Sequence, residues 1–421
     1  MKTIFVSPHS ARADARSLSE ALQQAQPGDV VLVEPGRYSP SLTGERLPLT
    51  LPPGVHVQGA ARQECIIDGE GHFSPSFQPI RPEQSVVVLK DGTSLSGVTV
   101  TQGGGHGIGV PPSASVTVRS CTISNHGDHG IFLCGVTAAL ITDCDFSDNG
   151  LERFEPSLPR GTGARQGHHV FAEARAGQRN QLSITGNIMR RCFADGLAFI
   201  CFFPEPDGVS FDATVLRNTI EDCERGGLLF SCSFGPSSNR QSLTVADNIL
   251  RGNKQFGINI LTAIPLADKV PQQGQLTALL AGNTIANSPV GIAVHGALGE
   301  AQHNTCRVVI DRNEIADWKA HAIRLVGGSG LDNVETTANQ VVAALSRNVF
   351  NGQSPAVVIQ GASGTTHSHT SQNRVTARVL ANDLDSAGDQ PILVSDGRPD
   401  NHAEVQAAGD PYTRKDEDLL G

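Results

Sequence analysis

A repeat of about 30 residues runs from about residue 98 to residue 394 and constrains the fold more than any other feature of the chain. Each unit ends in a short segment in which apolar residues alternate with small or polar ones, which is the period of a β-strand. His106, His129, His168 and Asp195 open four successive copies of this segment. A unit of this size cannot bury its own apolar face, so we expect stacked units that share one interior.

Two further apolar segments lie upstream in most units, on either side of a marker residue. An aliphatic residue precedes the marker by three positions, and another apolar residue follows it by two. Three short strands per unit predict a coil with three strands per turn, in which each strand pairs with its equivalents about 4.8 Å above and below. The predicted fold class is therefore all-β, a three-sided parallel β-helix of about 10 to 12 turns. The markers are Cys121, Cys144, Asn187, Asn218, Asn248, Asn283, Asn313, Asn348 and Asn382.

Both ends of the chain depart from the repeat. Ser17-Leu18-Ser19-Glu20 is a capping-box pattern and predicts a short helix over the first turn. From about Ser395 the pattern is lost in a polar segment. The predicted organisation is a cap over residues 1–28, a β-helix over residues 29–394 and a polar tail over residues 395–421.

The segments QPGDVVLVEPGRY, LPPGVHVQGAARQECIIDG and TSLSGVTV resemble the first turns of the pectate-lyase-like, right-handed parallel β-helix superfamily. The resemblance covers nearly the whole chain and implies a right-handed coil. Members of that superfamily include polysaccharide lyases, hydrolases, epimerases and phage tailspikes. The resemblance thus implies the fold and leaves the activity open.

The marker residues are interpreted as structural. Asn suits a turn with unusual backbone angles, and stacked side-chain amides can hydrogen-bond along the coil. Cys121 and Cys144 occupy equivalent positions and are expected to be neighbouring reduced thiols.

The residues that open the repeated strand are the candidates for chemistry. Adjacent turns would place His106, His129, His168 and Asp195 about 5 Å apart. Imidazole is suited to acid and base chemistry near neutral pH, and a carboxylate can fix its tautomer. We therefore expect His129 and His168 to be a proton-transfer pair, with Asp195 or Asp128 orienting one imidazole. A purely structural stack of histidines and a metal site are the alternatives, although no compact ligand motif such as HExxH is present.

The predicted substrate-binding residues surround these four turns. The arginines would stabilise an oxyanion or bind an acidic group. The phenylalanines belong to an apolar stripe or a loop that should not face water, so the stripe is a substrate floor, a surface covered by loops or a contact in a homo-oligomer. The predicted substrate-binding residues are His106, His126, His169, Arg165, Arg225, Phe132, Phe171 and Phe203.

The amino-acid composition limits which classes of binding partner are expected. There are 32 basic and 42 acidic residues, for a net charge of −10, and no basic run, so nucleic acid is not an expected partner. No segment reaches the roughly 18 uncharged apolar residues of a membrane span, so a membrane is not expected either. No export signal and no CxxC pair occur, which favours a cytoplasmic location. One Trp and two Tyr give few aromatic platforms for a long polysaccharide.

The leading functional hypothesis is an acid–base enzyme that needs no cofactor and no metal. It would catalyse isomerisation, elimination or cyclisation of a small intracellular substrate. Asn-Thr-Asp and Asp-Pro-His-Asp motifs are absent, which argues against glycosidic hydrolysis by two carboxylates and against a close likeness to alginate epimerases. The alternatives are a polysaccharide lyase or uronate epimerase, and a non-catalytic carbohydrate-binding or structural solenoid.

Overall fold

The computed structural model divides the chain into two compact units. The first contains Met1–Glu173 and Asn180–Leu197, and the second contains Ala174–Arg179 and Ala198–Gly421. Each unit consists of parallel strands that coil through three sheets, here sheets 1, 2 and 3, and two short helices lie near the N-terminus. The predicted all-β parallel β-helix is confirmed. The structure describes residues 1–73, 81–150, 167–174, 179–200, 209–231, 239–264, 272–330, 335–352, 355–364, 369–384, 391–397, 400–408 and 413–415.

In the first unit, strands from successive turns follow one another in each sheet. Sheet 1 contains β1 (Thr3–Val6), β2 (Val30–Val33), β5 (His56–Gly59), β8 (Thr93–Ser96), β11 (Ser115–Arg119), β14 (Ala138–Thr142) and β17 (Arg179–Thr185). Sheet 2 contains β3 (Gly36–Tyr38), β6 (Cys65–Asp68), β9 (Thr99–Thr101), β12 (Thr122–Ser124), β15 (Asp145–Ser147) and β18 (Ile188–Arg190). Sheet 3 contains β4 (Leu49–Leu51), β7 (Ser85–Leu89), β10 (His106–Val110), β13 (Ile131–Cys134) and β16 (Val170–Glu173).

The second unit repeats this order and adds a small fourth sheet. Sheet 1 contains β20 (Ser210–Leu216), β23 (Arg240–Ala246), β26 (Gln275–Ala281), β30 (Thr305–Asp311), β34 (Gln340–Ser346), β38 (Arg374–Leu380) and β40 (His402–Ala408). Sheet 2 contains β21 (Thr219–Glu221), β24 (Ile249–Arg251), β27 (Thr284–Ala286), β31 (Glu314–Ala316) and β35 (Val349–Asn351). Sheet 3 contains β19 (Leu197–Ile200), β22 (Gly226–Ser231), β25 (Phe256–Leu261), β28 (Val290–His295), β32 (His321–Gly330), β36 (Val357–Gly364), β39 (Ile392–Ser395) and β41 (Thr413–Lys415). The fourth sheet contains β29 (Ala301–Gln302), β33 (Glu335–Thr337) and β37 (His369–Ser371).

The helix predicted from the capping box is present as α1, Leu18–Gln24, and is followed by α2, Pro40–Thr43. The Ser17 side chain accepts a hydrogen bond from the backbone N–H of Glu20, and the Glu20 carboxylate accepts one from Arg16. The first bond satisfies a backbone donor that a helix start would leave unpaired, and the second ties the backbone N–H just before the N-cap to the first turn. Among the residues that the structure describes, no helix is both long and apolar enough to span a bilayer.

Side chains alternate between the interior and the surface along each strand, and the inward ones form the core. In β11, Val116 and Val118 are buried, whereas the residues between and beside them are partly exposed. Parallel pairing places Val118 next to Ile141 and Ile141 next to Ile184 on successive turns, and all three are fully buried. Burying each such side chain contributes about 1.5 to 3 kcal/mol, so the interior of every turn stabilises its neighbours.

The Asn markers of the second unit form a hydrogen-bonded ladder. Asn283 Oδ1 accepts from the backbone N and from Nδ2 of Asn248, at 3.1 and 2.9 Å. Its Nδ2 donates to Val245 O and to Asn313 Oδ1, both at 2.9 Å. The same pattern links Asn218 to Asn248 and Asn313 to Asn348. The expected stacking of side-chain amides is therefore confirmed.

The backbone part of that expectation was wrong, because the left-handed residue is the one before each Asn. Arg217, Asp247 and Arg312 have φ values of 52°, 57° and 53°, and Gly282 has 64°. The turn therefore selects Asn for its amide, which both donates and accepts, while its neighbour supplies the unusual backbone angle.

Strands extend into both predicted end regions. β1 lies within residues 1–28 and pairs with β2, so the cap already contributes a strand to sheet 1. β40 lies within residues 395–421 and pairs with β38, so sheet 1 continues beyond the predicted boundary at residue 394. Its inward residue Ala403 is small, which explains why the apolar pattern fades before the strands end.

We expect Asn283→Ala to destabilise the second unit by about 3 kcal/mol, because it removes several hydrogen bonds from buried groups that each cost about 1 to 3 kcal/mol when unpaired. Chemical denaturation measures the change. Asn351→Ala, at an exposed position of β35, is the matched control and should change stability by less than about 0.5 kcal/mol. Equal effects of the two substitutions would contradict a stabilising ladder.

Candidate functional site

Three imidazoles stack where the strands β10, β13 and β16 of sheet 3 begin, in the first unit. Ile108 pairs with Ile131, and Ile131 pairs with Val170, so the residues two positions earlier lie one above another. The ring centroids of His106 and His129 are 5.1 Å apart, and those of His129 and His168 are 5.3 Å apart. We call these three residues the histidine column. Its spacing is that expected from strands on adjacent turns.

The backbone of the following turn fixes the tautomer of His129. The N–H of His168 donates to Nδ1 of His129 at 3.3 Å. An Nδ1 that accepts a hydrogen bond carries no proton, so this bond assigns the ring proton of neutral His129 to Nε2. Nδ1 of His168 lies 3.1 Å from the N–H and 3.3 Å from the carbonyl oxygen of Asp195, so either tautomer of His168 has a backbone partner. Sequence reasoning gave this orienting role to carboxylates alone and missed the backbone donors.

The Asp128 carboxyl group lies between two members of the histidine column. Its Oδ2 is 3.3 Å from Nδ1 of His106, and its Oδ1 is 3.5 Å from Nδ1 of His129. Burial raises the pKa of Asp128 well above its usual range, although the N–H of His129 works in the opposite direction. The carboxyl group is thus poised to share a proton with either imidazole. Asp195 Oδ2 lies 3.5 Å from Nδ1 of His168 on the next turn.

Burial also keeps the imidazoles neutral. It lowers the pKa of His106 to about 3, with His126 adding a smaller repulsion. Burial lowers the pKa of His129 well below its usual range, and the neighbouring imidazoles of His106 and His168 contribute in the same direction. Both ring nitrogens of His106 and Nε2 of His129 have no hydrogen-bond partner among the described residues. Each such buried polar atom costs about 1 to 3 kcal/mol.

Two phenylalanine rings pack on the histidine column. Phe171 stacks on His129 with centroids 4.6 Å apart, and Phe132 lies 5.1 Å from His106. The two phenylalanines pair with each other in register. His129, Phe132 and Phe171 are 0% exposed, so in this conformation the aromatic rings enclose the imidazoles and do not form an open floor.

His126 and His169 point into the coil and do not join the histidine column. Nδ1 of His126 accepts from the N–H of Gly103, and its Nε2 donates to Val100 O at 3.1 Å. Burial lowers the pKa of His126 to about 4 and that of His169 to about 3. The backbone therefore occupies both nitrogens of His126, which leaves none for a substrate.

Asn149 is a residue that sequence reasoning missed. It is fully buried, its Oδ1 accepts from the N–H of His126, and its Nδ2 donates to Nδ1 of His169 at 3.0 Å. A signal was present, because His126, Asn149 and Cys192 each lie five residues after a marker and so share one position of the repeat. That position is interior, which explains why its polar members are bonded within the fold.

The remaining predicted residues lie elsewhere. Arg165 and Phe203 fall outside the described residues, and so does almost all of the insertion at 150–166. Arg225 is half-buried directly before β22 in the second unit. No disulfide bond joins the described cysteines, and the N–H of Cys121 lies 3.5 Å from Sγ of Cys144, as expected for neighbouring thiols.

Distances alone would allow a metal ion at His106, Asp128 and His129, whose ligand atoms lie within 4.8 Å of one another. The planes of the two imidazoles differ by only 2°, however. The nitrogen lone pairs lie in the ring planes, so parallel stacked rings cannot both aim at one ion unless a ring rotates. The observed arrangement therefore suits proton sharing better than metal ligation.

Comparison with known proteins agrees with this architecture. The family model for a right handed beta helix region matches residues 84–263. The surface adhesin PfbA of Streptococcus pneumoniae is 13% identical with a TM-score of 0.51, over 92% of this chain and 94% of that chain. The catalytic unit of a GH87 alpha-1,3-glucanase from Streptomyces thermodiastaticus strain HF3-3 is 17% identical with a TM-score of 0.50, over 94% of this chain and 66% of that chain. No curated protein matches the chain.

The fold and the family match define a right-handed parallel β-helix protein. The fold and the match over residues 84–263 support the right-handed parallel β-helix superfamily that its first turns suggested.

The depressed pKa values predict acid sensitivity. Below about pH 6.5 the unfolded chain protonates its histidines, whereas native His106, His126 and His169 stay neutral to about pH 3 or 4. The unfolded state then binds more protons than the native state. The free energy of unfolding therefore decreases as the pH is lowered, by about 2 kcal/mol per histidine at pH 5. The raised pKa of Asp128 acts in the opposite direction and offsets part of this loss.

His129 and His295 have lowered pKa values as well, so we expect a net loss of several kcal/mol between pH 7 and pH 5, measured by denaturant unfolding. His106→Phe keeps an aromatic ring and removes no hydrogen bond, so its loss over this range should be about 2 kcal/mol smaller. An unaltered pH dependence in this variant would show that His106 does not remain neutral in the native protein.

Proposed function

We propose that the protein is a carbohydrate-active enzyme in which the histidine column transfers a proton to and from a saccharide. The observation that carries this proposal is the set of buried ring nitrogens without partners beside the Asp128 carboxyl group. Apolar residues in their place would avoid an unpaired cost of about 1 to 3 kcal/mol per group. Retention of such groups is typical of sites kept for chemistry.

His129 is the proposed acid and His106 the proposed base. The assigned tautomer of His129 carries its proton on Nε2, which has no acceptor in the described structure. Neutral His106 has one unprotonated ring nitrogen that accepts no hydrogen bond. Asp128, whose raised pKa lets it hold a proton, lies between the two Nδ1 atoms. When His129 gives its Nε2 proton to the substrate, Asp128 protonates Nδ1 of His129, so the ring stays neutral. The proton that His106 takes from the substrate then restores Asp128.

His168 supports this pair. Its backbone N–H holds His129, and its own ring is held by Asp195, so the orientation of the acid depends on His168. Access to His129 requires a rotation of Phe171, which stacks on it. Removal and return of a proton are the steps of isomerisation, β-elimination and cyclisation, and elimination or epimerisation at a uronate is the alternative within this class.

Two further observations support a saccharide substrate and an intracellular setting. The compared GH87 protein is a glucanase, so a β-helix of this type can present a catalytic site to a polysaccharide, which is an argument by fold analogy. No disulfide bond joins the described cysteines, and unbridged thiols are typical of reducing compartments.

A non-catalytic binding solenoid is the second candidate. The complete burial of His129 favours it, because an enclosed imidazole has no contact with a ligand in this conformation. The compared PfbA is an adhesin with the same architecture.

Activity assays separate the two candidates. The protein is incubated with pectate, alginate and glycosaminoglycans while unsaturated products are followed by absorbance. Small sugar acids are incubated in deuterated water and examined for deuterium uptake by NMR. We expect turnover of at least one substrate, and a loss of about 100-fold or more in His129→Gln and His106→Gln, since general acid–base groups contribute 10²- to 10⁴-fold.

His369→Gln is the control, because it alters an exposed histidine of β37. It should retain activity within about twofold, and circular dichroism should show that all the variants fold. Full activity in both column variants, or no turnover and no exchange with any substrate, would favour the binding solenoid.

A further inference from the structure

Arg324 lies on the outer face of sheet 3 in the second unit, and no carboxylate of the described residues pairs with it. Its neighbours in β32, Ile323 and Leu325, are fully buried, so strand alternation turns the Arg324 side chain outward. The Arg324 guanidinium donates one hydrogen bond, from Nη2 to Oε1 of Gln360 at 3.3 Å. Its Nε is buried without a partner among the described residues, and burial lowers the pKa of its guanidinium.

On the strand that pairs with β32, the residue next to Arg324 is small, and on the strand before that the equivalent residue is polar. Arg324 pairs with Ala293, and Ala293 pairs with Asn259, so the Arg and Asn side chains flank an Ala about 4.8 Å from each. Asn259 is half-buried, and its Oδ1 has no partner in the described structure. Two polar side chains with unused hydrogen-bonding capacity thus flank the small side chain of Ala293, which is 7% exposed.

Two histidines complete the surroundings. His295, two residues after Ala293 on β28, bonds Ser329 Oγ through Nδ1 at 3.0 Å. Burial lowers the pKa of His295 to about 3, and Arg324 contributes to the shift. Burial and then Arg324 likewise lower the pKa of His321. Neutral histidines leave the Arg324 charge without compensation.

An oxyanion meets the requirement of Arg324. A half-buried guanidinium without a counter-charge binds carboxylate or sulfate oxygens through Nε and Nη, because its planar fork matches their geometry. The Asn259 Oδ1 accepts a hydrogen bond, which a hydroxyl group of the same ligand can donate. A cation is disfavoured by the charge of Arg324, and an apolar ligand would leave Nε unpaired.

We propose that Arg324 and Asn259 form a subsite for the oxyanion of an acidic saccharide, with the sugar ring over Ala293. The assignment of a saccharide rests on the proposed function, whereas the assignment of an oxyanion rests on the Arg324 Nε atom, which has no partner among the described residues. The subsite thus favours acidic sugars among the candidate substrates, through residues that the repeat-based prediction did not select.

Isothermal titration calorimetry on the full chain tests this subsite. The probes are an oligogalacturonate, a sulfated oligosaccharide, a neutral oligosaccharide of similar length and sodium sulfate. We expect at least one acidic oligosaccharide to bind, and Arg324→Gln to weaken that binding at least tenfold. Asn259→Asp should also weaken binding, because it places a negative charge near the bound oxyanion.

Arg378→Gln is the matched control, since Arg378 is an exposed arginine of β38 in the same unit and the substitution removes the same charge. It should bind like the wild type, and thermal melting should show that all the variants fold. Equal affinity in Arg324→Gln, equal binding of the neutral oligosaccharide or absence of binding by every acidic probe would overturn the subsite. Sodium sulfate binding as tightly as the oligosaccharides would overturn the role of the sugar.

Binding is measured without turnover, so this result is independent of the proton-transfer proposal. An oligosaccharide that binds through Arg324 but is not converted would contradict the histidine chemistry and leave the subsite intact. Conversion of neutral substrates, with no effect of Arg324→Gln on binding, would contradict the subsite and leave the histidine chemistry intact.

Discussion

Parallel pairing between successive turns determines everything else in this structure. A strand bonded to its equivalents above and below fixes each side chain next to the same repeat position of the neighbouring turns. Residues about 30 positions apart in sequence thereby become contacts, and any residue type that recurs at one position becomes a stack. His106 and His129 stack for this reason, and so do Asn248 and Asn283. Stacking is thus a property of the scaffold, and the content of each stack decides whether it is structural or functional.

The two polar stacks differ in how well they are satisfied. Asn283 donates and accepts along its ladder and bonds a strand carbonyl as well, so its polar atoms have partners. A neutral imidazole has one donor and one acceptor in the ring plane, and these cannot bond a parallel ring stacked above them. His106 and His129 are left with unpaired nitrogens as a result. The same ladder geometry therefore produces a fully bonded structural stack from amides and an under-bonded stack from imidazoles, and only the second has groups to offer a substrate.

The fold was predictable because it depends on period and spacing, which a sequence displays directly. The capping box at Ser17 and the Asn markers led to the correct elements, and even the separation of the imidazoles followed from the strand spacing. Burial was not predictable, because it depends on what covers a face. Phe132 and Phe171 gave the apolar signal, yet only coordinates show their rings against the imidazoles. The direction of His126 was also hidden, although its repeat position, shared with Asn149, would have shown that it is interior.

The outer face of sheet 3 shows what the repeat-based prediction overlooked. That prediction selected residues that recur, and a binding residue on a solenoid need not recur. Arg324 stands in a column with Asn259, Ala293 and Val358, none of which can neutralise it. A charged side chain facing outward between two core residues usually pairs with a carboxylate or reaches water, and the Arg324 Nε does neither. The departure from the stacking pattern is therefore more informative than the pattern, because the scaffold explains a repeated residue but does not explain a single unpaired charge.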